Sequence, residues 1–318
     1  MSTYPFKQVD VFSGEHFRGN PVAVVLNAEG IPDDEMQRIA AWTNLSETTF
    51  FLPPANSAAD YRLRIFTPQA EMPFAGHPTI GSAHAAIEAG IVTPKDGRLR
   101  QECGIGIVDL AVETAPTGGQ GDGPERLIYF RASPKVVYSF EESAEAISAA
   151  LGANISLDPF PMSIDVGAVW IICRFGDVDT VRKLKPDMAA VARLSDDFNV
   201  TGIAVFALTT PAHPEEARRA VSKGSKGERG YEAPAVHIRA FAPWHGVPED
   251  PVTGSANACL GRYFSETGLV DRTGREYVAS QGTELGRGGR VHVRISEDGE
   301  QVQVGGRAVT TVDGTITV

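Results

Sequence analysis

An internal repeat constrains the fold of this chain more than any other feature. Residues 77–86 (HPTIGSAHAA) match residues 250–259 (DPVTGSANAC) at a constant offset of 173. Just upstream, residues 64–68 resemble residues 239–243 once a two-residue difference in length is allowed. Because a solenoid needs three or more repeats to bury a continuous core, two copies predict two similar domains instead.

Local patterns predict a mixed α+β chain. Alternating or β-branched segments predict strands, and acidic residues after Pro32 favour a helix start because they complement the helix dipole. In each half the order is a strand, a helix, two strands and a Gly-Ser turn that opens another helix. The predicted strands cover 6–12, 22–26, 48–52, 61–66 and 168–175, and the predicted helices cover 33–42, 81–89, 141–151 and 186–194.

The domain boundary is expected near residue 133. We expect an N-terminal repeat domain over residues 1–133, with a strand near 305–318 as a candidate to join it, and a C-terminal repeat domain over 134–318. The glycine-rich segment 115–124 fits either a linker or a hairpin tip, and the basic segment 222–230 fits a solvated turn.

Composition excludes several classes of partner. With 318 residues and a formal charge of −11, the chain offers no excess of Lys and Arg for nucleic acid or an anionic membrane. Its longest apolar run, 168–173, is far shorter than the ~20 residues that span a bilayer. The first fifteen residues lack the apolar core of a secretory signal, and three cysteines fit a reducing compartment. We therefore expect a cytoplasmic protein that binds neither nucleic acid nor membrane.

The repeat places two polar residues at corresponding positions, His77 and Asp250, each followed by proline. If the domains face each other about a pseudo-twofold axis, these side chains meet across one cleft. Free backbone N–H groups at helix starts hold anions, and a small carboxylate is the natural ligand. The alternative is that the glycines serve only helix packing and the serines only cap. The Gly-Ser pairs at the predicted helix starts are Gly81, Ser82, Gly254 and Ser255.

Glu47 is the third candidate for chemistry. It lies among small polar and apolar residues at the predicted start of a strand. A partly buried carboxyl group suits general acid/base catalysis near neutral pH, because desolvation disfavours its charged form. The alternative is an exposed glutamate on a strand edge.

Six motifs stand in order along the chain, at 17–25 (FRGNPVAVV), 45–50 (LSETTF), 74–79 (FAGHPT), 249–256 (EDPVTGSA), 281–282 (QG) and 286–287 (GR). Taken together, they resemble the motifs of the PhzF family of phenazine-biosynthesis-like isomerases. The resemblance implies a diaminopimelate-epimerase-like fold, with two pseudo-symmetric domains that each wrap a curved, mostly antiparallel sheet around a central helix.

The resemblance also implies roles for single residues. Glu47 matches the family's proton shuttle, and His77 and Asp250 would orient it or the substrate. The family's characterised member moves a proton between carbons of a dihydro-hydroxyanthranilate ring without metal or organic cofactor, and a homodimer is implied. The expected substrate-binding residues are Gly76, Gly81, Ser82, Gly254 and Ser255.

The sequence thus predicts a cofactor-independent isomerase of a small carboxylate-bearing metabolite. Two-thiol racemisation is disfavoured, because His77 and Asp250 stand where racemases of this fold carry their cysteines. A lyase or hydrolase on the same acid/base site, and a non-catalytic small-molecule-binding protein, remain the alternatives. No histidine and carboxylate spacing indicates a metal site, and His237 and His292, which alternate with apolar residues, are expected to face outward.

Overall fold

The computed structural model describes residues 1–114, 126–132, 134–209 and 233–318. Segments 115–124 and 222–230, for which a hairpin tip or linker and a solvated turn were predicted, lie outside these residues. The chain divides into two compact units. Unit 1 contains residues 1–131 and 305–318, and unit 2 contains residues 132–304.

Unit 1 is built mainly from strands that enclose one long buried helix. In chain order its elements are β1 (Thr3–Val11), β2 (Asn20–Val25), α1 (Asp33–Thr43), β3 (Thr48–Leu52), β4 (Tyr61–Phe66), β5 (Glu71–Met72), α2 (Gly76–Glu88), β6 (Arg98–Cys103), β7 (Gly106–Thr114) and β8 (Arg126–Ala132).

Unit 2 repeats this composition with more helices. Its elements are β9 (Lys135–Ser139), α3 (Ala144–Leu151), β10 (Met162–Asp165), β11 (Val169–Arg174), α4 (Val178–Lys183), α5 (Met188–Asp197), β12 (Gly202–Leu208), β13 (Val236–Ala242), β14 (Val247–Asp250), α6 (Gly254–Thr267), α7 (Val270–Thr273), β15 (Glu276–Gln281) and β16 (Gly289–Ile295). Strand β17 (Val302–Gly306) begins in unit 2 and ends in unit 1. The last strand, β18 (Ala308–Thr317), pairs antiparallel with β1 in unit 1.

The strand pairing confirms the repeat element by element. In unit 1, β1–β2 is antiparallel, β2–β3 parallel, β3–β4 and β4–β5 antiparallel, β4–β6 parallel and β6–β7 antiparallel. In unit 2, β10–β11, β11–β12, β12–β13, β13–β14, β13–β15 and β15–β16 pair in the same succession of directions. The predicted α+β class is therefore confirmed.

Each unit carries a central helix around which its sheet curves. Helix α6 contacts β10 and β11 and also β16, which lies at the other end of the paired strands. Strands are about 4.8 Å apart, so one helix reaches both ends when the sheet bends around it. Helix α2 likewise contacts β18, β1, β2, β3 and β4. Both helices are rich in small, buried residues, as a helix enclosed on most sides requires.

Several predicted boundaries are confirmed, including the strands Thr48–Leu52 and Tyr61–Phe66. One prediction that bears on the site is wrong, because α2 begins at Gly76 and not at Gly81. In the described part of the chain, no helix is long and apolar enough to cross a membrane.

Candidate active site

Glu47 and His77 lie together in unit 1. Glu47 immediately precedes β3, and its carbonyl oxygen accepts a hydrogen bond from the backbone of Ala23 on β2. His77 lies in the first turn of α2. The Glu47 Oε2 and His77 Nε2 atoms are 3.3 Å apart, and the two side chains are 15% and 8% exposed. The structure thus brings two of the three predicted catalytic residues into contact in a nearly dry environment.

His77 is held in its neutral form. Burial lowers the pKa of His77 to about 3, although a hydrogen bond to the backbone of Pro21 acts in the opposite direction. Since Nε2 faces Glu47, the Pro21 bond assigns the ring proton to Nδ1. A neutral Nε2 can only accept a hydrogen bond. The structure shows a close approach of these two atoms, and a proton on Oε2 would allow Glu47 to donate a hydrogen bond to an unprotonated Nε2.

Gly81 and Ser82, predicted to hold substrate at a helix start, lie inside α2 instead. A Cβ atom added to Gly81 would lie 2.4 Å from Val22 Cγ1, so this glycine allows the helix to approach β2 closely. Ser82 is fully buried, and its hydroxyl is 2.8 Å from Thr49 Oγ1. Because Thr49 donates to the carbonyl of Ala23, Ser82 is the donor in this pair. The structure therefore shows both residues packed inside the helix, and their substrate-binding role stays a prediction.

Gly76 permits a close approach at the start of α2. A Cβ atom at this position would lie 2.6 Å from the ring of Phe130, which packs edge-on against Phe74. Gln101 on β6 donates a hydrogen bond of 3.0 Å to Thr79 Oγ1 and accepts one from the Tyr61 hydroxyl. These contacts fix the turn of the helix that carries His77.

Asp250 ends β14 in unit 2 and precedes α6 by four residues. Its Oδ1 accepts a hydrogen bond of 3.2 Å from the backbone N–H of Val252. Burial raises the pKa of Asp250 to about 6, against the opposing hydrogen bonds from Thr253 and Val252. The carboxyl group therefore titrates close to neutral pH, where general acid/base catalysts are effective.

Gln281 holds the segment that carries Asp250. The side chain is 1% exposed and uses its full hydrogen-bonding capacity. Its Nε2 donates to the Asp250 carbonyl and to Thr253 Oγ1, and its Oε1 accepts from the Thr253 N–H and from Asn257 Nδ2. Next to it, Gly282 has φ +88°, and a Cβ there would lie 2.4 Å from the carbonyl oxygen of Pro251. Both residues of the Gln-Gly pair therefore pack closely against the segment that carries Asp250.

Gly254 and Ser255 occupy the first turn of α6, as predicted. The Ser255 hydroxyl oxygen accepts a hydrogen bond of 2.9 Å from the indole Nε1 of Trp170 on β11. Backbone N–H groups of a first helical turn have no intrahelical partner, so this end of α6 favours a negatively charged group.

Sequence reasoning missed three residues of this arrangement. They are Gln281, which the sequence marks only as part of a motif, and Gln101 and Trp170, which no local pattern marks. The expectation that His237 faces outward is wrong, because its buried ring lies 3.0 Å from Ser280 Oγ and 3.0 Å from Glu284 Oε1. Within the described ranges, no three His, Cys, Asp or Glu side chains come together as metal ligands do.

Comparison with known proteins finds relatives that match nearly the whole chain. A family model described as phenazine biosynthesis-like protein matches residues 9–314. Antisense-enhancing sequence 1 of Schizosaccharomyces pombe is 36% identical, with 99% of each chain covered. The trans-2,3-dihydro-3-hydroxyanthranilate isomerase of Pseudomonas aeruginosa is 31% identical over 96% of each chain. The crystal structure of the PhzF-family phenazine biosynthesis protein of Bacillus anthracis superimposes with a TM-score of 0.81 at 26% identity, covering 100% of both chains.

Proposed function

The chain belongs to the PhzF family of phenazine biosynthesis-like proteins, and on that premise we propose that it is a cofactor-independent isomerase of a small carboxylate-bearing metabolite. The family is of isomerase type. The observation that carries the proposal is the buried contact of 3.3 Å between Glu47 Oε2 and His77 Nε2. A homodimer, which the family resemblance implies, is part of the same proposal.

Glu47 would carry the proton between two carbon atoms of the substrate. As a carboxylate it removes a proton from an activated carbon, and as a carboxylic acid it returns the proton to another carbon on the same face. His77 supports the acid form, because its neutral Nε2 accepts the proton that Oε2 donates. The hydrogen bond of His77 to Pro21 keeps the ring in the tautomer that this step requires.

The start of α6 would hold the acidic group of the substrate. Ser255 and the first backbone N–H groups of the helix are donors, and they would bind a negatively charged group. Asp250, with its pKa raised to about 6 by burial, would supply a second titratable group. A lyase would use the same proton transfer, so the products of turnover separate these two reaction classes.

Proton exchange with heavy water tests the proposal. We would incubate the protein with trans-2,3-dihydro-3-hydroxyanthranilate and with a panel of cyclic and acyclic amino and hydroxy acids, and follow deuterium incorporation by NMR and mass spectrometry. Glu47→Gln should lower the exchange rate by at least about 100-fold, the usual contribution of a positioned acid/base. The matched control is Glu29→Gln, since Glu29 is exposed.

Three outcomes would count against the isomerase. Full exchange by Glu47→Gln would eliminate Glu47 as the proton carrier. Loss of water, ammonia or another fragment from the substrate would indicate a lyase or hydrolase. Tight binding of a panel member without any exchange would indicate a binding protein.

A further inference from the structure

The hydrogen bond between Trp170 and Ser255 has only one possible polarity. An indole Nε1–H donates and never accepts, whereas a serine hydroxyl can do both. At 2.9 Å the indole therefore occupies a lone pair of Ser255 Oγ. Among the described residues this is the one hydrogen-bond partner of that hydroxyl, so its proton remains available to donate.

The position of the indole is built into unit 2. Trp170 is 2% exposed and pairs in register with Gly202 on β12. A Cβ atom at Gly202 would lie 2.9 Å from the Trp170 ring and 2.1 Å from the carbonyl oxygen of Phe241. The missing side chain at Gly202 leaves the space that the indole fills. The ring cannot swing away from Ser255 without disturbing this packing.

We propose that Trp170 is a positioning residue that turns the hydroxyl proton of Ser255 away from the indole, so that Ser255 donates a hydrogen bond at the start of α6. Ser255 then presents its proton beside the backbone N–H groups of the first turn of α6. These donors favour a carboxylate, whose two oxygens only accept and carry negative charge, over an uncharged carboxamide. This inference rests on the proposed function and adds the source of its selectivity for carboxylates.

The competing explanation is that Trp170 only fills the core of unit 2. In that case the indole ring matters and its N–H does not. Replacing Trp170 by 3-benzothienylalanine keeps a bicyclic ring of nearly the same shape and removes the N–H donor. This variant separates the two explanations, and Trp170→Phe gives a second test with an encoded residue. The same replacements at Trp42, which is 80% exposed, are the matched controls.

The readout is the ratio of two dissociation constants, measured by calorimetry. The probes are 3-hydroxyanthranilate and its carboxamide, 2-amino-3-hydroxybenzamide. The wild-type protein should prefer the carboxylate, and Ser255→Ala should weaken carboxylate binding by about tenfold or more, as expected for a hydrogen bond to a charged group. The benzothienyl variant should weaken carboxylate binding by about fivefold and carboxamide binding by less, because a well-oriented hydrogen bond contributes more to a charged acceptor than to a neutral one.

The double replacement at Trp170 and Ser255 should bind the carboxylate no worse than Ser255→Ala alone, since Trp170 acts through Ser255. Equal weakening of both probes by the benzothienyl variant would overturn the inference in favour of simple packing. A wild-type protein with no preference for the carboxylate would also overturn it. The proposed function fails separately, through full proton exchange by Glu47→Gln.

Discussion

The starts of the two central helices come from one repeat and yet differ in structure. At the offset of 173, Gly81 corresponds to Gly254, but α2 already begins at Gly76 whereas α6 begins at Gly254. The earlier start is possible because Pro78 falls in the first helical turn, where a missing N–H is tolerated. In unit 2 the Asp250 side chain binds the Val252 N–H and keeps the chain out of the helix. Corresponding positions of the repeat therefore place His77 inside helix α2 and Asp250 before the start of helix α6.

Burial favours the neutral forms of His77 and Asp250, and these two neutral forms differ in their hydrogen bonding. It lowers the pKa of His77 to about 3 and raises the pKa of Asp250 to about 6. A neutral imidazole accepts a proton in a hydrogen bond, while a neutral carboxyl group donates one. Equivalent positions of one repeat therefore carry an acceptor in unit 1 and a donor in unit 2.

A buried glutamine supports each helix start, and comparing the two glutamines gives the largest expected effect. Gln281 makes four hydrogen bonds around Asp250 and Thr253, whereas Gln101 makes two, to Thr79 and Tyr61. Gln281→Leu should lower the free energy of unfolding by about 4 kcal/mol, because several buried polar groups lose their partners. Gln101→Leu should lower the free energy of unfolding by about half of that amount. Urea denaturation measures both, and equal losses would contradict this ranking.

His77→Asn tests the neutral histidine. Because the pKa of His77 is about 3 in the folded protein and 6.5 in the reference state, its contribution is complete above pH 6.5 and is lost as the pH falls toward 3. Between pH 6.5 and 4, the free energy of unfolding of the wild type should therefore fall by about 3 kcal/mol more than that of the variant. Asparagine keeps a donor for the Pro21 carbonyl, and exposed His16→Asn is the control. Parallel stability curves for wild type and His77→Asn would show that His77 titrates normally.

Comparison with Asp250→Asn should reveal a pH dependence of stability opposite to that of His77, because the wild type loses stability as the pH rises. The pKa of Asp250 is raised from 3.8 to about 6, so its contribution is complete below pH 3.8 and is lost as the pH rises through 6. Between pH 4 and 7 the stability of the wild type relative to the variant should fall by about 2 kcal/mol. Asparagine retains an acceptor for the Val252 N–H. A constant difference across this range would show that Asp250 is ionised throughout.

Local patterns in the sequence were sufficient for much of the fold. The alternating and β-branched segments predicted the strands Thr48–Leu52 and Tyr61–Phe66 with their observed bounds. The repeat predicted two similar units because identical small residues, such as Gly81 and Gly254, recur at one offset. The candidate contact of Glu47 with His77 followed from a family resemblance and not from spacing, since 30 residues separate them.

The features that were missed depend on tertiary contacts. The start of α2 depends on Gly76 packing against Phe130, which is 54 residues away in the sequence. His237 fits an alternating strand equally well whether it faces inward or outward, and its contacts with Ser280 and Glu284 decide the matter. The bond from Trp170 to Ser255 joins residues 85 positions apart and leaves no local pattern.

The smallest effect, at Gly81, separates packing from substrate binding. Gly81→Ala places a methyl group 2.4 Å from Val22 Cγ1 and 2.9 Å from Val11 Cγ2, whereas Gly261→Ala in α6 meets Val302 Cγ1 at 2.8 Å. Overpacking costs about 1–3 kcal/mol, and the better helix propensity of alanine offsets about 1 kcal/mol. Gly81→Ala should therefore lower the free energy of unfolding by about 1 kcal/mol, and Gly261→Ala by less.

Because Gly81 lies inside the helix, the folded Gly81→Ala variant should keep its kcat and KM for proton exchange. A raised KM at unchanged stability would instead return Gly81 to the substrate site and make the two helix starts functionally equivalent.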